Sequence, residues 1–97
     1  MTAPPVLDGA ERARALAAQL AELGVSAHAL PGDPPYVAAG PVRAVWGDGH
    51  FHWPADTADG WAHCSGFALM EGAQRIRSRV AHESARLEEA RRHRSSW

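Results

Sequence analysis

The dipeptide Asp48-Gly49 constrains the fold of this chain more than any other feature, because it divides a segment rich in aromatic and β-branched residues. Both residues tolerate a positive φ angle, which favours a two-residue turn between antiparallel strands. The flanking segments 42–46 and 50–53 have the composition and alternation typical of strands. The sequence therefore predicts a β-hairpin at this point, as the nucleus of a small antiparallel sheet.

Three further segments, 25–30, 36–39 and 61–64, have a strand-like composition. The proline-rich segment 31–35 separates the first from the second, and Gly40-Pro41 predicts a bend or bulge because proline cannot donate to a ladder. A polar loop at 54–60 precedes the last segment, which we expect at the edge of the sheet.

A helix is predicted on each side of the sheet segments. Asp8 and Glu11 form a capping-box pattern, leucines follow at helical spacing, and Gly24 is a stop signal, which together predict a helix over about 9–23. Ser65 is a candidate N-cap for a second helix over about 67–93. Its apolar stripe consists of Leu69, Ala73, Ile76, Val80 and Leu87.

These elements predict one α+β domain of two layers over 1–97, with a four- to five-stranded antiparallel sheet and both helices on one face. Residues 1–7 are expected to be a loose lead-in and 94–97 a frayed tail. The second helix would be about 40 Å long, whereas a compact domain of this size is about 32 Å across. Its end must therefore project, break or pack against another chain.

Composition limits the classes of function. The 97 residues include one cysteine, so no intramolecular disulfide can form, and no signal peptide or membrane-spanning run is evident. These features predict a cytoplasmic protein. Charge is uneven, with three arginines against seven acidic residues up to Gly60 and seven arginines against four afterwards. Such asymmetry allows the two parts to attract each other or to recruit separate partners.

A metal site is one hypothesis, because His50 and His52 alternate on one face of a strand and His63 and Cys64 lie on the next. If residue 53 pairs with 61, Cys64 joins the two histidines. If the pairing slips by one, His63 joins them instead. Either register brings three zinc ligands together, although the spacing matches no zinc signature.

Two other hypotheses concern Cys64 and the arginines of the second helix. Cys64 precedes this helix and follows His63, but adjacent strand residues point apart, so the pattern favours a buried thiol and no catalytic residue is assigned. Candidate nucleic-acid contacts are few on a near-neutral chain, and the sequence does not favour nucleic acid as a partner. They are Arg75, Arg79, Arg91 and Arg92.

The prediction that we carry forward is association. The central segment holds more large rings than one face of a short sheet is expected to hide, and aromatic residues are enriched in binding hot spots. The predicted interaction surface comprises Tyr36, Trp46, Phe51, Trp53 and Trp61. The sequence thus favours a non-enzymatic interaction or regulatory adaptor protein that self-associates and needs no cofactor, with the zinc site and the nucleic-acid regulator as alternatives.

Overall fold

The computed structural model describes residues 8–55 and 60–95 and confirms the predicted α+β class. The predicted lead-in 1–7, four residues of the predicted loop (56–59) and the last two residues lie outside the described part. The elements, in chain order, are α1 (Gly9–Glu22), β1 (Ala27–Leu30), β2 (Tyr36–Ala39), β3 (Val42–Gly47), β4 (His50–Pro54), β5 (Trp61–Ser65) and α2 (Leu69–Ser95).

The five strands form one antiparallel sheet in sequence order, so each strand pairs with the one before it. Asp48 and Gly49 have φ angles of 51° and 76°, which fits the predicted tight turn between β3 and β4. The turn between β2 and β3 has Gly40 at a φ of 56° followed by Pro41. Its first central position needs the positive φ that glycine adopts without strain, so the predicted bend is a two-residue hairpin turn.

The first helix begins where the sequence predicts. The Asp8 carboxylate accepts a hydrogen bond of 3.0 Å from the Ala10 N–H, which satisfies one of the free amides of the first turn. The reciprocal half of the capping box is replaced by a contact of 3.4 Å between Glu11 and Arg12. Gly24 follows the helix with a φ of 82°, as expected for a left-handed stop.

Both helices pack on the same face of the sheet, with α1 over β1 to β3 and α2 over β5 and β3. Two glycines allow the close approach: a Cβ at Gly9 would collide with the Trp46 ring, and a Cβ at Gly72 would collide with Cys64 Sγ. The core between the layers contains Ala13, Leu16, Leu20, Val37, Ala39, Val42, Ala44, Phe51, Trp53, Cys64, Ala73 and Ile76.

The second helix starts two residues later than predicted and runs to Ser95, past the predicted start of the frayed tail. Ser65 ends β5 and its hydroxyl accepts from the Phe67 N–H at 3.2 Å, so it stabilises the turn before α2 and does not cap the helix. The buried residues of α2 lie in its first half, and every side chain from Ser84 through Arg92 is exposed. Because α2 is long, we considered that its end would project, break or pack against another chain. The helix is unbroken, and its end projects from the core.

Candidate functional site on the open face of the sheet

The register of β4 and β5 decides which side chains share a face. Trp53 pairs with Ala62, His52 with His63, and Phe51 with Cys64. This is the second of the two registers considered from the sequence. His63 therefore joins His50 and His52 on the side of the sheet that the helices leave uncovered, which we call the open face, and Cys64 lies on the helix-covered side.

The three imidazole rings form a compact triangle on this face. Ring centroids lie 5.6 Å apart for His50 and His63, 6.1 Å for His52 and His63, and 6.3 Å for His50 and His52. The Cδ2–Nε2 edge of His52 lies over Gly47, with a Cβ position there 3.7 and 3.8 Å from these two atoms. A Cβ at Gly47 would therefore make only ordinary van der Waals contact with the His52 ring.

Backbone carbonyls orient two of the three rings. His50 Nδ1 lies 3.0 Å from the Asp48 carbonyl oxygen, and His52 Nε2 lies 3.2 Å from the Gly47 carbonyl oxygen. A carbonyl only accepts, so each of these nitrogens carries a proton and donates it.

Across residues 8–55 and 60–95, no group of three or more His, Cys, Asp or Glu side chains is placed so that it could hold a metal ion. The predicted ligands His50, His52 and His63 are together on one face, but they do not form such a group. Cys64 is separated from them by the sheet itself.

The five rings of the predicted interaction surface are divided between the two faces. Phe51 and Trp53 are 0% and 2% exposed, and Trp46 packs edge-on against Phe51 with centroids 4.9 Å apart. Strand alternation turns all three rings towards α1 and α2. Phe51 and Trp53 belong to the core and are not available as a docking surface, whereas Trp46 is partly buried against the core. On the open face, the predicted surface reduces to Tyr36 and Trp61.

Tyr36 and Trp61 both belong to the open face. Trp61 is 65% exposed, and it lies two residues from His63 on the same strand. Tyr36 is half-buried and carries the Arg43 guanidinium 5.4 Å from its ring centroid, a cation–π contact. Strand pairing aligns Tyr36 with Leu30 on one side and Val45 on the other.

Cys64 is buried beneath α2 and is not an activated nucleophile. Burial raises the pKa of the Cys64 thiol, and the charge of Glu71 raises it further, outweighing the opposing effects of the Phe51 N–H and the Arg75 guanidinium. A thiol is a poor nucleophile until it loses its proton. The structure thus places Cys64 in the core, as the sequence favoured.

Arg75 protects the exposed edge of β5, a role that the sequence pattern did not reveal. The Gly66 N–H donates to the Gly49 carbonyl and the Ala55 N–H to the Gly60 carbonyl, so by antiparallel alternation the backbone groups of His63 point away from β4. The Arg75 guanidinium donates to the His63 carbonyl at 2.8 Å. It also lies 5.3 Å from the Trp53 ring centroid. This side chain therefore blocks part of an edge to which another strand could add.

Two more of the predicted nucleic-acid contacts are engaged within the chain. Arg79 pairs with Glu83 at 2.5 Å, and Arg92 lies 3.6 Å from Glu88. Arg91 is exposed. Since Arg75 is held at the edge of β5, the four arginines do not form one surface dedicated to phosphate, and nothing in the geometry adds to the nucleic-acid alternative.

Two exposed apolar side chains were missed by the sequence reasoning. Phe67 and Met70, at the corner between β5 and α2, are 80% and 61% exposed. Both residues lie where a predicted strand ends and a predicted helix begins. At such a boundary the sequence pattern does not indicate whether an apolar side chain is buried or exposed.

Comparison with models of protein families, with curated proteins and with solved structures found no match to this chain. Among the described residues, neither helix has the length and apolar character needed to cross a bilayer. The functional argument therefore depends on the open face alone.

Proposed function

We propose that this protein works by binding other protein chains, beginning with a second copy of itself, through the open face of its sheet. The observation that carries the proposal is Trp61, a large ring left 65% exposed on a face that neither helix covers. Indole rings are costly to leave in water and are over-represented in binding hot spots.

The neighbouring side chains suit such a role. Leu30, Tyr36 and Val45 form a cross-strand row on the same face, and the Arg43 guanidinium stacks on Tyr36. Tyrosine, tryptophan and arginine are enriched at protein interfaces, while a mixture of apolar and polar tips keeps the free surface soluble. A partly apolar sheet face also offers the self-complementary patch that a two-fold dimer requires.

The projecting half of α2 is a weaker candidate for the same role. Leu87 is its one large apolar side chain and is 50% exposed. The surrounding charges pair along the helix, as between Arg86 and Glu83 at 3.0 Å, which is typical of a solvated helix. We therefore place the primary contact on the sheet and not on α2.

Light scattering coupled to size-exclusion chromatography tests the proposal over a range of protein concentrations. We expect a concentration-dependent dimer whose dissociation constant rises at least tenfold in the Trp61→Ser variant, since truncating a hot-spot ring costs about 2 kcal/mol or more. Phe67→Ser is the matched control, because Phe67 is exposed to a similar degree but lies outside the open face.

Leu87→Ser extends the same experiment to the projecting helix. Loss of the dimer in Leu87→Ser but not in Trp61→Ser would transfer the interface to α2 and contradict the proposal. A monomer at every concentration up to the millimolar range would remove self-association through the open face altogether.

A further inference from the structure

We propose that the outer edge of β1 is a binding site for an extended peptide segment that adds to the sheet as a further strand. The segment carries an apolar residue flanked by acidic residues. This site is separate from the open face, because it uses the backbone edge of β1 and the groove between β1 and α1. It does not rest on the proposed self-association.

The register identifies which backbone groups of β1 point away from the sheet. The Trp46 N–H donates to the Pro35 carbonyl, so by alternation along β2 the next residue, Tyr36, bonds to its partner Leu30 on β1. The residue before Leu30 must then direct its backbone to the other side. The N–H and C=O of Ala29 are therefore directed to the outer edge, where an added strand can pair with them.

The two edges of the sheet differ in how they are protected. At β5, the Arg75 guanidinium donates to the outward carbonyl of His63 at 2.8 Å. Within the described residues, no side chain makes a comparable hydrogen bond to Ala29. Edge strands are usually protected because their unpaired backbone groups recruit other strands. The contrast between the two edges favours β1 as the one that accepts a strand.

A groove, which we call the β1 groove, runs along this edge on the helix-covered side. It has a volume of about 280 Å³ and is lined by Ala10, Ala13, Arg14, Ala29, Leu30 and Pro31. Ala29 lies on the covered side of the sheet, since it pairs with the buried Val37. A ligand residue paired with Ala29 directs its side chain to the same side, and therefore into the β1 groove. Because three of the lining residues are alanines, the groove has room for a branched aliphatic side chain.

Arg14 determines the charge of the ligand. It is exposed, and it is the one charged residue among the described residues that line the β1 groove. No hydrogen bond or ion pair with a described residue engages its guanidinium. A ligand residue two positions from the one in the groove lies on the same face of its strand. An acidic side chain at that position would make charge-assisted hydrogen bonds to Arg14.

A second copy of the chain fits this edge less well than a separate peptide. Two-fold pairing about Ala29 would put only a methyl group into each β1 groove. It would also bring two Arg14 side chains to the same interface, where like charges repel. Pro31 lacks the N–H with which to complete the pairing with Ala27. A peptide with a larger apolar side chain and acidic neighbours has none of these disadvantages.

Fluorescence anisotropy with the labelled peptide acetyl-Thr-Asp-Thr-Ile-Thr-Asp-Thr-amide provides the test. Its sequence is the same in both directions, so it presents the same side chains to a parallel or an antiparallel site. We expect saturable binding of one peptide per chain. Replacing the isoleucine by alanine should lower the affinity at least tenfold, because less apolar surface enters the groove. Replacing both aspartates by lysine should lower it about fivefold or more.

Two variants of the protein test the groove and its charge. Ala10 is exposed at the groove, so Ala10→Leu should fill the space and lower the affinity at least tenfold without disturbing the core. Arg14→Glu should reverse the preference, so that the lysine peptide binds more tightly than the aspartate peptide. Circular dichroism checks that both variants remain folded. Trp61→Ser should bind the peptide as the parent does, even if it no longer dimerises.

Amide hydrogen exchange locates the bound peptide. The Ala29 amide should become protected on binding, whereas the Leu30 amide already bonds within the sheet and should change little. The proposal fails if the parent binds neither peptide at millimolar concentration, or if Arg14→Glu still prefers the aspartate peptide. Protection of the His63 amide in place of Ala29 would put strand addition at β5 and would contradict it too.

Discussion

The two faces of the β4–β5 ribbon are built from alternate residues of the same strands, yet they have opposite chemistry. On the covered face, Phe51, Trp53 and Cys64 are at most 5% exposed. On the open face, His50 and His52 are half-buried and His63 is exposed. The difference shows that the contribution of a residue to the core depends on which face of the strand it occupies. Phe51 and His52 are adjacent in sequence, yet Phe51 is buried in the core and His52 is half-buried on the open face.

The largest expected effect comes from truncating the covered face. Phe51→Ala should lower the free energy of unfolding by about 3–5 kcal/mol, because it leaves a cavity in the core. His52→Ala, one residue away, removes one half-buried hydrogen bond and should cost about 1 kcal/mol. Chemical denaturation of both variants measures the contrast. Equal losses would mean that the two faces are not energetically distinct.

Gly72→Ala should be the next most costly change. Alanine favours a helix by about 1 kcal/mol over glycine, but its Cβ would collide with Cys64 Sγ. We expect a net destabilisation of about 1–3 kcal/mol from overpacking. A double-mutant cycle with Cys64→Ala checks the cause, since removal of Sγ should relieve part of the cost. A purely additive cycle would show that the collision is not responsible.

Alkaline pH should lower the free energy of unfolding, because Cys64 on the covered face resists losing its proton in the folded protein. Burial raises the pKa of this thiol in the folded protein, so the unfolded chain releases the proton first as pH rises. Stability is unaffected below the pKa of the unfolded thiol and falls above about pH 8.5, by at most about 1.4 kcal/mol at pH 9.5. The difference in unfolding free energy between the parent and Cys64→Ala should be constant below this range and should change only within it. Parallel pH profiles would contradict the direction of the shift.

The smallest effect is expected from the projecting half of α2, which extends the contrast between covered and uncovered surfaces to a helix. A chain ending at Arg86 loses only exposed side chains among residues 87–92. Its free energy of unfolding should change by about 0.5 kcal/mol or less. Denaturant titration with light scattering provides the measurement. A loss above about 2 kcal/mol would show that the terminal segment packs against something in solution.

Local sequence signals predicted most of the architecture because they act over a few residues. Asp48-Gly49 and Gly40-Pro41 mark turns by their backbone preferences, and Gly24 marks the end of α1 in the same way. Alternation in 50–53 correctly put His50 and His52 opposite Phe51 and Trp53. The start of α2 was misplaced by two residues because the Ser65 hydroxyl serves a turn and not a helix.

The candidate site was only partly predictable. The sequence identified the four potential ligands but left His63 and Cys64 as alternatives, because the choice depends on how β5 aligns with β4 across a loop. It also treated five aromatic rings as one surface, although Trp46, Phe51 and Trp53 are directed under the helices. Periodicity within a single strand reveals neither the register between β4 and β5 nor which face of the sheet the helices cover.

By itself, the sequence determined which segments form helices and strands and which side chains share a strand face. Those properties depend on backbone preferences and on the two-residue repeat of a strand. Only the tertiary structure decided the register of β5, the face on which both helices pack and the contact between Arg75 and the edge of the sheet. These depend on interactions between residues distant in sequence, where a shift of one residue exchanges the buried and exposed faces.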